Sequence, residues 1–221
     1  MSKSNSKHRT DVYDVLIGRA ESKDKPCLTW DSKLGVGYFP PYENFAYAEN
    51  YWDHYRKLEG TKMCHELNRF RVDLVEQFIG DLPLLDVGIG CGTFIKEREH
   101  KTYGGDVNPM GILWLKERGL YKTPFEHVDN ASYWDVAEHI PDLAGEVDRV
   151  EDYIFMSMPI YDNEAHCLES KHFKPNEHLW YFTEEGLVDF MKYNGFDCEY
   201  RCCTESEIGR EEVMTFVFLR S

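Results

Sequence analysis

The chain has 221 residues, with 25 basic and 40 acidic side chains giving a formal charge of -15, and 42% of its residues are hydrophobic. That is enough apolar sequence for one globular domain with an appendage, while so acidic a field repels phosphate backbones and disfavours nucleic acid as a partner. Seven cysteines, an odd number with no CxxC pair, fit reduced thiols and argue against a disulfide framework or a structural zinc. No apolar run is long enough to span a membrane, and no signal-peptide core follows the polar start "MSKSNSKHRT", so a cytoplasmic protein is the expectation.

Residues 1 to about 25 are polar, with one apolar island, "DVYDVLIG", and read as an arm. Between Trp30 and Tyr55 the aromatics Tyr38, Phe39, Tyr42, Phe45, Tyr47, Tyr51 and Trp52 crowd together. They predict an aromatic-rich helical segment that packs on the main sheet or walls a substrate pocket. The division is therefore an arm and lid over 1–60 and a main domain over 61–221.

"TKMCHELNRFRVDLVEQFIG" sets Met63, Leu67, Phe70, Leu74, Val75 and Phe78 at helical spacing with Gly80 as a stop. Beyond it strand and helix patterns alternate: "PLLDV", then "TYGGDV", a helix from Pro109 to Gly119, "HVDNASYW", a short helix in "AEHIPDLAGEV", and "DYIFMSMPI". "FTEEGLVDFMKYNGF" carries every helix signal, with Thr183 as N-cap, Phe182 and Leu187 as a staple and Gly195 at the end. "DCEYRCC" and "EVMTFVFLR" predict two closing antiparallel strands, and the charged residues Glu205, Arg210 and Glu211 between them read as a turn with an ion pair. Such alternation implies an α/β fold, a mostly parallel sheet with helices on both faces.

The stretch "LLDVGIGCGTF" places Gly88, Gly90 and Gly92 behind a strand. A phosphate-binding P-loop needs Lys followed by Ser or Thr after its last glycine, and a dinucleotide loop needs GxGxxG; here Thr93-Phe94 and GxGxG stand instead. Asp86 in front of the glycines would repel a pyrophosphate and welcome an ammonium group, and Asp106, 20 residues on, is placed to accept two ribose hydroxyls. A ribose, an amino group and no phosphate describe S-adenosylmethionine.

The same stretch resembles the glycine motif of class I S-adenosylmethionine-dependent methyltransferases, and "YGGDVNPMGILWLKERG" resembles their ribose-binding motif. "VDNASYWDVAEHIPD" and "KHFKPNEHLWYFTEEGLVDFMKYNGF" are similar to later segments of the small-molecule, ubiquinone-biosynthesis-like branch, so that the likeness runs from about residue 62 to the end. It implies a Rossmann-like seven-stranded sheet, mostly parallel with an antiparallel C-terminal edge strand. It also implies S-adenosylmethionine as cofactor, S-adenosylhomocysteine as product and a small or medium metabolite as acceptor. Cofactor contacts are implied for Asp86, Gly88, Gly90, Gly92, Asp106, Val107 and Trp134. One departure is the short stretch between Asp106 and Val128, where "YKTPFEHV" offers no clear adenine partner.

In-line displacement needs alignment and, for a protonated nucleophile, a base. The family's layout carries the pocket mouth onto Trp134, Asp135, Glu138 and His139, of which His139 titrates nearest neutrality. His172 and His178 are the other catalytic candidates. With Glu177 they suggest a metal, but six positions separate the two and no third ligand has metal spacing, so none is expected. A protein or nucleic-acid acceptor, or a regulatory protein that binds the cofactor without turnover, are the alternatives; oligomeric state stays open.

Overall fold

The computed structural model describes residues 11–41, 49–98 and 100–221. Tyr42, Phe45 and Tyr47 of the aromatic stretch lie outside them. The N-terminal part holds helix α1 (Asp11–Glu21), strands β1 (Thr29–Asp31) and β2 (Val36–Tyr38), and helices α2 (Glu49–Leu58) and α3 (Lys62–Ile79). There follow β3 (Leu84–Val87), α4 (Thr93–Glu97), β4 (Thr102–Gly105), α5 (Pro109–Glu117), β5 (Val128–Trp134), a 3-10 turn (Ala137–His139), α6 (Leu143–Val147) and β6 (Val150–Pro159). The chain closes with α7 (Glu164–Glu169), β7 (Trp180–Phe182), α8 (Glu184–Tyr193), β8 (Phe196–Cys202), α9 (Thr204–Ile208) and β9 (Val213–Arg220).

The main sheet has six strands in the order β4-β3-β5-β6-β9-β8. β4, β3, β5 and β6 are parallel, and β9 runs antiparallel to both β6 and β8. Side chains alternate across it, as a pleated strand requires. Leu85, Ile154, Met156, Phe216 and Phe218 join α1, α6 and α8 in one core, whereas Leu84, Phe155 and Val217 join Val72, Leu74, Val75 and Ile79 of α3 in the other. Strands covered on both faces read as continuous apolar runs, which is why "LLDV" and "TFVF" show no polar alternation.

One expectation is corrected here. Among the described residues the sheet has six strands, not seven: where a further strand would extend the β4 edge there is one parallel bridge, Gly104 to Tyr121. Only residues 120–127 separate Gly119 from β5, and Pro124 in that stretch packs so close to Gly105 that a Cβ there would stand 3.0 Å from it. A proline cannot donate to a ladder, so pairing stops. The two closing strands form the expected antiparallel edge: β9 pairs antiparallel with both β6 and β8, and β8 borders the sheet.

The arm is only partly helical. β1 and β2 form a hairpin that joins β7 in a separate antiparallel sheet, with Tyr38 opposite Trp180. Thr183 N–H donates to the Gly35 carbonyl at 2.8 Å, and a Cβ on Gly35, whose φ is +62°, would lie 2.2 Å from Thr183 Oγ1. Glycine is therefore required there by both handedness and space. Tyr13 of α1 meets Phe190 and Tyr193 edge-on at 4.8 and 5.4 Å. α8 forms as its signals require: Thr183 Oγ1 accepts from Gly186 N–H at 3.0 Å, and Phe182 and Leu187 are both fully buried. All seven cysteines are free thiols, and among the described residues no helix is long and apolar enough to cross a membrane.

Candidate functional site

From β3 the chain crosses to β4 on one side and returns to β5 on the other, which leaves a crevice at the strands' carboxyl ends. A cavity of about 590 Å³ opens there. Its floor is the loop after β3, where Gly88, Gly90 and Gly92 have φ of +74°, +53° and +74°. A Cβ on Gly88 would stand 2.4 Å from Val136, and one on Gly92 2.7 Å from the Trp114 ring. Left-handed backbone and contact both demand glycine there. Gly88 and Gly90 line the cavity, while Gly92 backs onto Trp114 outside the lining.

Two carboxylates flank this loop, and parallel pairing of β3 with β4 sets them on neighbouring strand ends. Asp86, only 1% exposed, accepts from the Ser132 hydroxyl at 2.7 Å. Burial pushes its pKa up to about 7, with nearby Asp106 adding to the rise and the Ser132 bond and the Arg71 charge opposing it. Asp106 accepts from the backbone N–H groups of Ile89 at 3.1 Å and Asn108 at 2.7 Å. Burial raises it too, against those backbone donors. Val107 and Phe125, both more than 60% exposed, present apolar side chains to the cavity beside Asp106. Trp134 also lines the cavity, edge-on to Phe94 at 5.6 Å. From the arm, Trp52, Tyr55 and Leu58 of α2 complete the wall.

Beneath Trp134 lies an ion cluster that joins three distant parts of the chain. Arg71 of α3 donates to both Glu205 oxygens, at 2.7 and 2.8 Å, and also reaches Asp135 and Ser157. Arg210 bonds Asp135 through both terminal nitrogens and reaches Glu205 at 3.2 Å. Although burial alone would raise it, Asp135 is held below the usual carboxylate range by Arg210 and Arg71. The Arg71 guanidinium lies 4.9 Å from the Trp134 ring centre, so the cluster fixes the cleft wall. Residues 134 places apart meet here, and sequence spacing carries no sign of it.

The three histidine candidates divide. His139 lines the cavity, and its ring meets that of His178 edge-on at 4.7 Å. His172 is elsewhere, its Nε2 paired with the Glu211 carbonyl at 2.9 Å, and it takes no part in the lining. Glu138, in the 3-10 turn that follows Asp135, is fully buried next to these rings.

No protein-family model matches the sequence and no curated protein does. Solved structures do match the fold. Magnesium protoporphyrin IX methyltransferase from Synechocystis, with bound SAH, superposes with a TM-score of 0.58 at 14% identity, over 79% of this chain and 96% of that one. A SAM-dependent methyltransferase from Archaeoglobus fulgidus gives 0.55 at 16%, over 78% and 100%. The 1,6-didemethyltoxoflavin-N1-methyltransferase of Burkholderia thailandensis, with its substrate and S-adenosylhomocysteine, gives 0.51 at 14%, over 88% and 99%. The chain thus shares the fold on which these methyltransferases are built.

Proposed function

We propose that the cleft binds S-adenosylmethionine and that the protein transfers its methyl group to a small-molecule acceptor, releasing S-adenosylhomocysteine. The observation that carries this reading is the pair Asp86 and Asp106 on adjacent strand ends, one on each side of a glycine loop that has no lysine. Asp86 would take the ammonium group, Asp106 the ribose hydroxyls and the loop backbone the rest of the methionine chain. Phe125 and Val107 give the adenine an apolar seat, in the stretch where the sequence offers no polar partner. Two structural neighbours name magnesium protoporphyrin IX and 1,6-didemethyltoxoflavin, both flat ring systems. A wall of Trp52 and Tyr55 suits an acceptor of that kind.

In the transfer an acceptor lone pair forms a bond to the methyl carbon as the carbon–sulfur bond breaks and sulfur keeps the electron pair. The sulfonium loses its charge, so an apolar wall disfavours the charged reactant more than the transition state, and alignment in a closed cleft supplies the remainder. The test is a labelled-methyl screen of the purified protein against fractionated metabolites. Label in a small-molecule product together with S-adenosylhomocysteine is the expected result; cofactor binding without any label transfer would leave a binding protein.

A further inference from the structure

We infer that Glu138, His139 and His178 form a binding site for one divalent transition-metal ion at the edge of the cleft. The ligand atoms these three side chains can offer all lie within 4.8 Å of one another. Glu138 and His178 are 1% and 3% exposed, yet Glu138 Oε2 and His178 Nδ1 have no hydrogen-bond partner. Two unpaired polar atoms on buried side chains of one such cluster are costly to a fold unless something binds them.

The third side chain is oriented as a ligand would be. His139 Nδ1 lies 2.8 Å from the Glu177 carbonyl, which can only accept, so Nδ1 carries the proton and the Nε2 lone pair is free. A ring fixed through its far nitrogen by a carbonyl is how metal-ligating histidines are usually held. The neighbouring cations are engaged elsewhere, Arg210 with Asp135 and Lys174 with Glu177 at 3.6 Å.

Two imidazoles and one carboxylate suit zinc, cobalt or iron in the divalent state better than magnesium or calcium, which prefer oxygen. Three protein ligands leave a coordination position open for water or substrate. His139 also lines the cavity, which gives the ion access from the cleft. This deepens the reading above and rests on it in one respect: an ion beside the methyl donor would hold an acceptor through an oxygen. The His139 Nε2 lone pair then ligates, and is not the proton acceptor considered from sequence. Spacing along the chain missed the site because Glu138-His139 and His178 meet through the turn after β5, not through one helix.

The test is metal binding by the full chain without cofactor, so it does not depend on methyl transfer. After chelator treatment and desalting, Zn²⁺ and Co²⁺ are titrated by calorimetry and by visible absorption of cobalt. Binding of one equivalent is expected, weakened at least about tenfold in Glu138→Gln and in His178→Ala, with unchanged affinity in His172→Ala. Circular dichroism confirms that the variants are folded; should His178→Ala be unfolded, Glu138→Gln decides alone. Absence of a saturable equivalent in the wild-type chain, or full affinity in folded Glu138→Gln, would overturn the site.

Discussion

A carboxylate buried as deeply as Asp86 calls for a cation beside it. With its pKa pushed up to about 7, this carboxyl is half protonated near neutrality before a ligand binds, whereas an ammonium group binds only the ionised form. Protonation therefore competes with the cofactor, and affinity should drop about tenfold between pH 8 and pH 6, read by calorimetry at each pH. The same shift acts on the ligand-free fold. The folded state keeps a proton that the unfolded chain releases above its ordinary value, so stability falls as pH rises from about 4 to about 7. At Asp106, replacement by alanine removes a charged acceptor for the ribose and should weaken binding by about 1.5–3 kcal/mol. Phe125→Ala should cost about 1–3 kcal/mol if adenine stacks on that ring, and unchanged affinity would remove Phe125 from the site.

Among the elements, the loop after β3 and the ion cluster are where substitution should tell most. Gly88→Ala puts a methyl group against Val136 and an L-residue at φ +74°, so it should lose about 1–2 kcal/mol in left-handed strain alone, measured by urea unfolding, together with cofactor affinity. Glu205→Ala takes from buried Arg71 the carboxylate that accepts its two shortest bonds, leaving only the longer ones to Asp135 and Ser157, and should destabilise by about 3–5 kcal/mol. These two sites also mark what sequence can and cannot convey. Periodicity and capping residues made α3 and α8 legible, since both depend on neighbours three or four positions apart. Asp86, the glycines and Asp106 were legible because one strand, one turn and the next strand end fix their relation. The β1-β2-β7 sheet was not: its strands are three residues long, too short for a pattern, and β7 lies far along the chain from β2. The missing seventh strand was foreshadowed only by the shortness of the stretch before Val128. Glu205 looked like part of a charged turn because its partner, Arg71, sits on another element that only the folded sheet brings near.

Over the whole molecule, a sheet packed on both faces holds a cleft whose walls come from α2, α3, the strand ends and the turn after β5. A ligand that bridges these parts stabilises the fold by mass action, so S-adenosylmethionine in excess should raise the melting temperature progressively with concentration. The formal charge of -15 offers duplex DNA no general attractive field. The most direct measurement is a calorimetric titration of the purified chain with S-adenosylmethionine and with S-adenosylhomocysteine, alongside Asp86→Ala. Saturable one-to-one binding of both ligands by the wild-type chain, lost in the folded Asp86 variant, is the expected result. No binding by a folded wild-type chain, or wild-type affinity in Asp86→Ala, would contradict the assignment of this cleft.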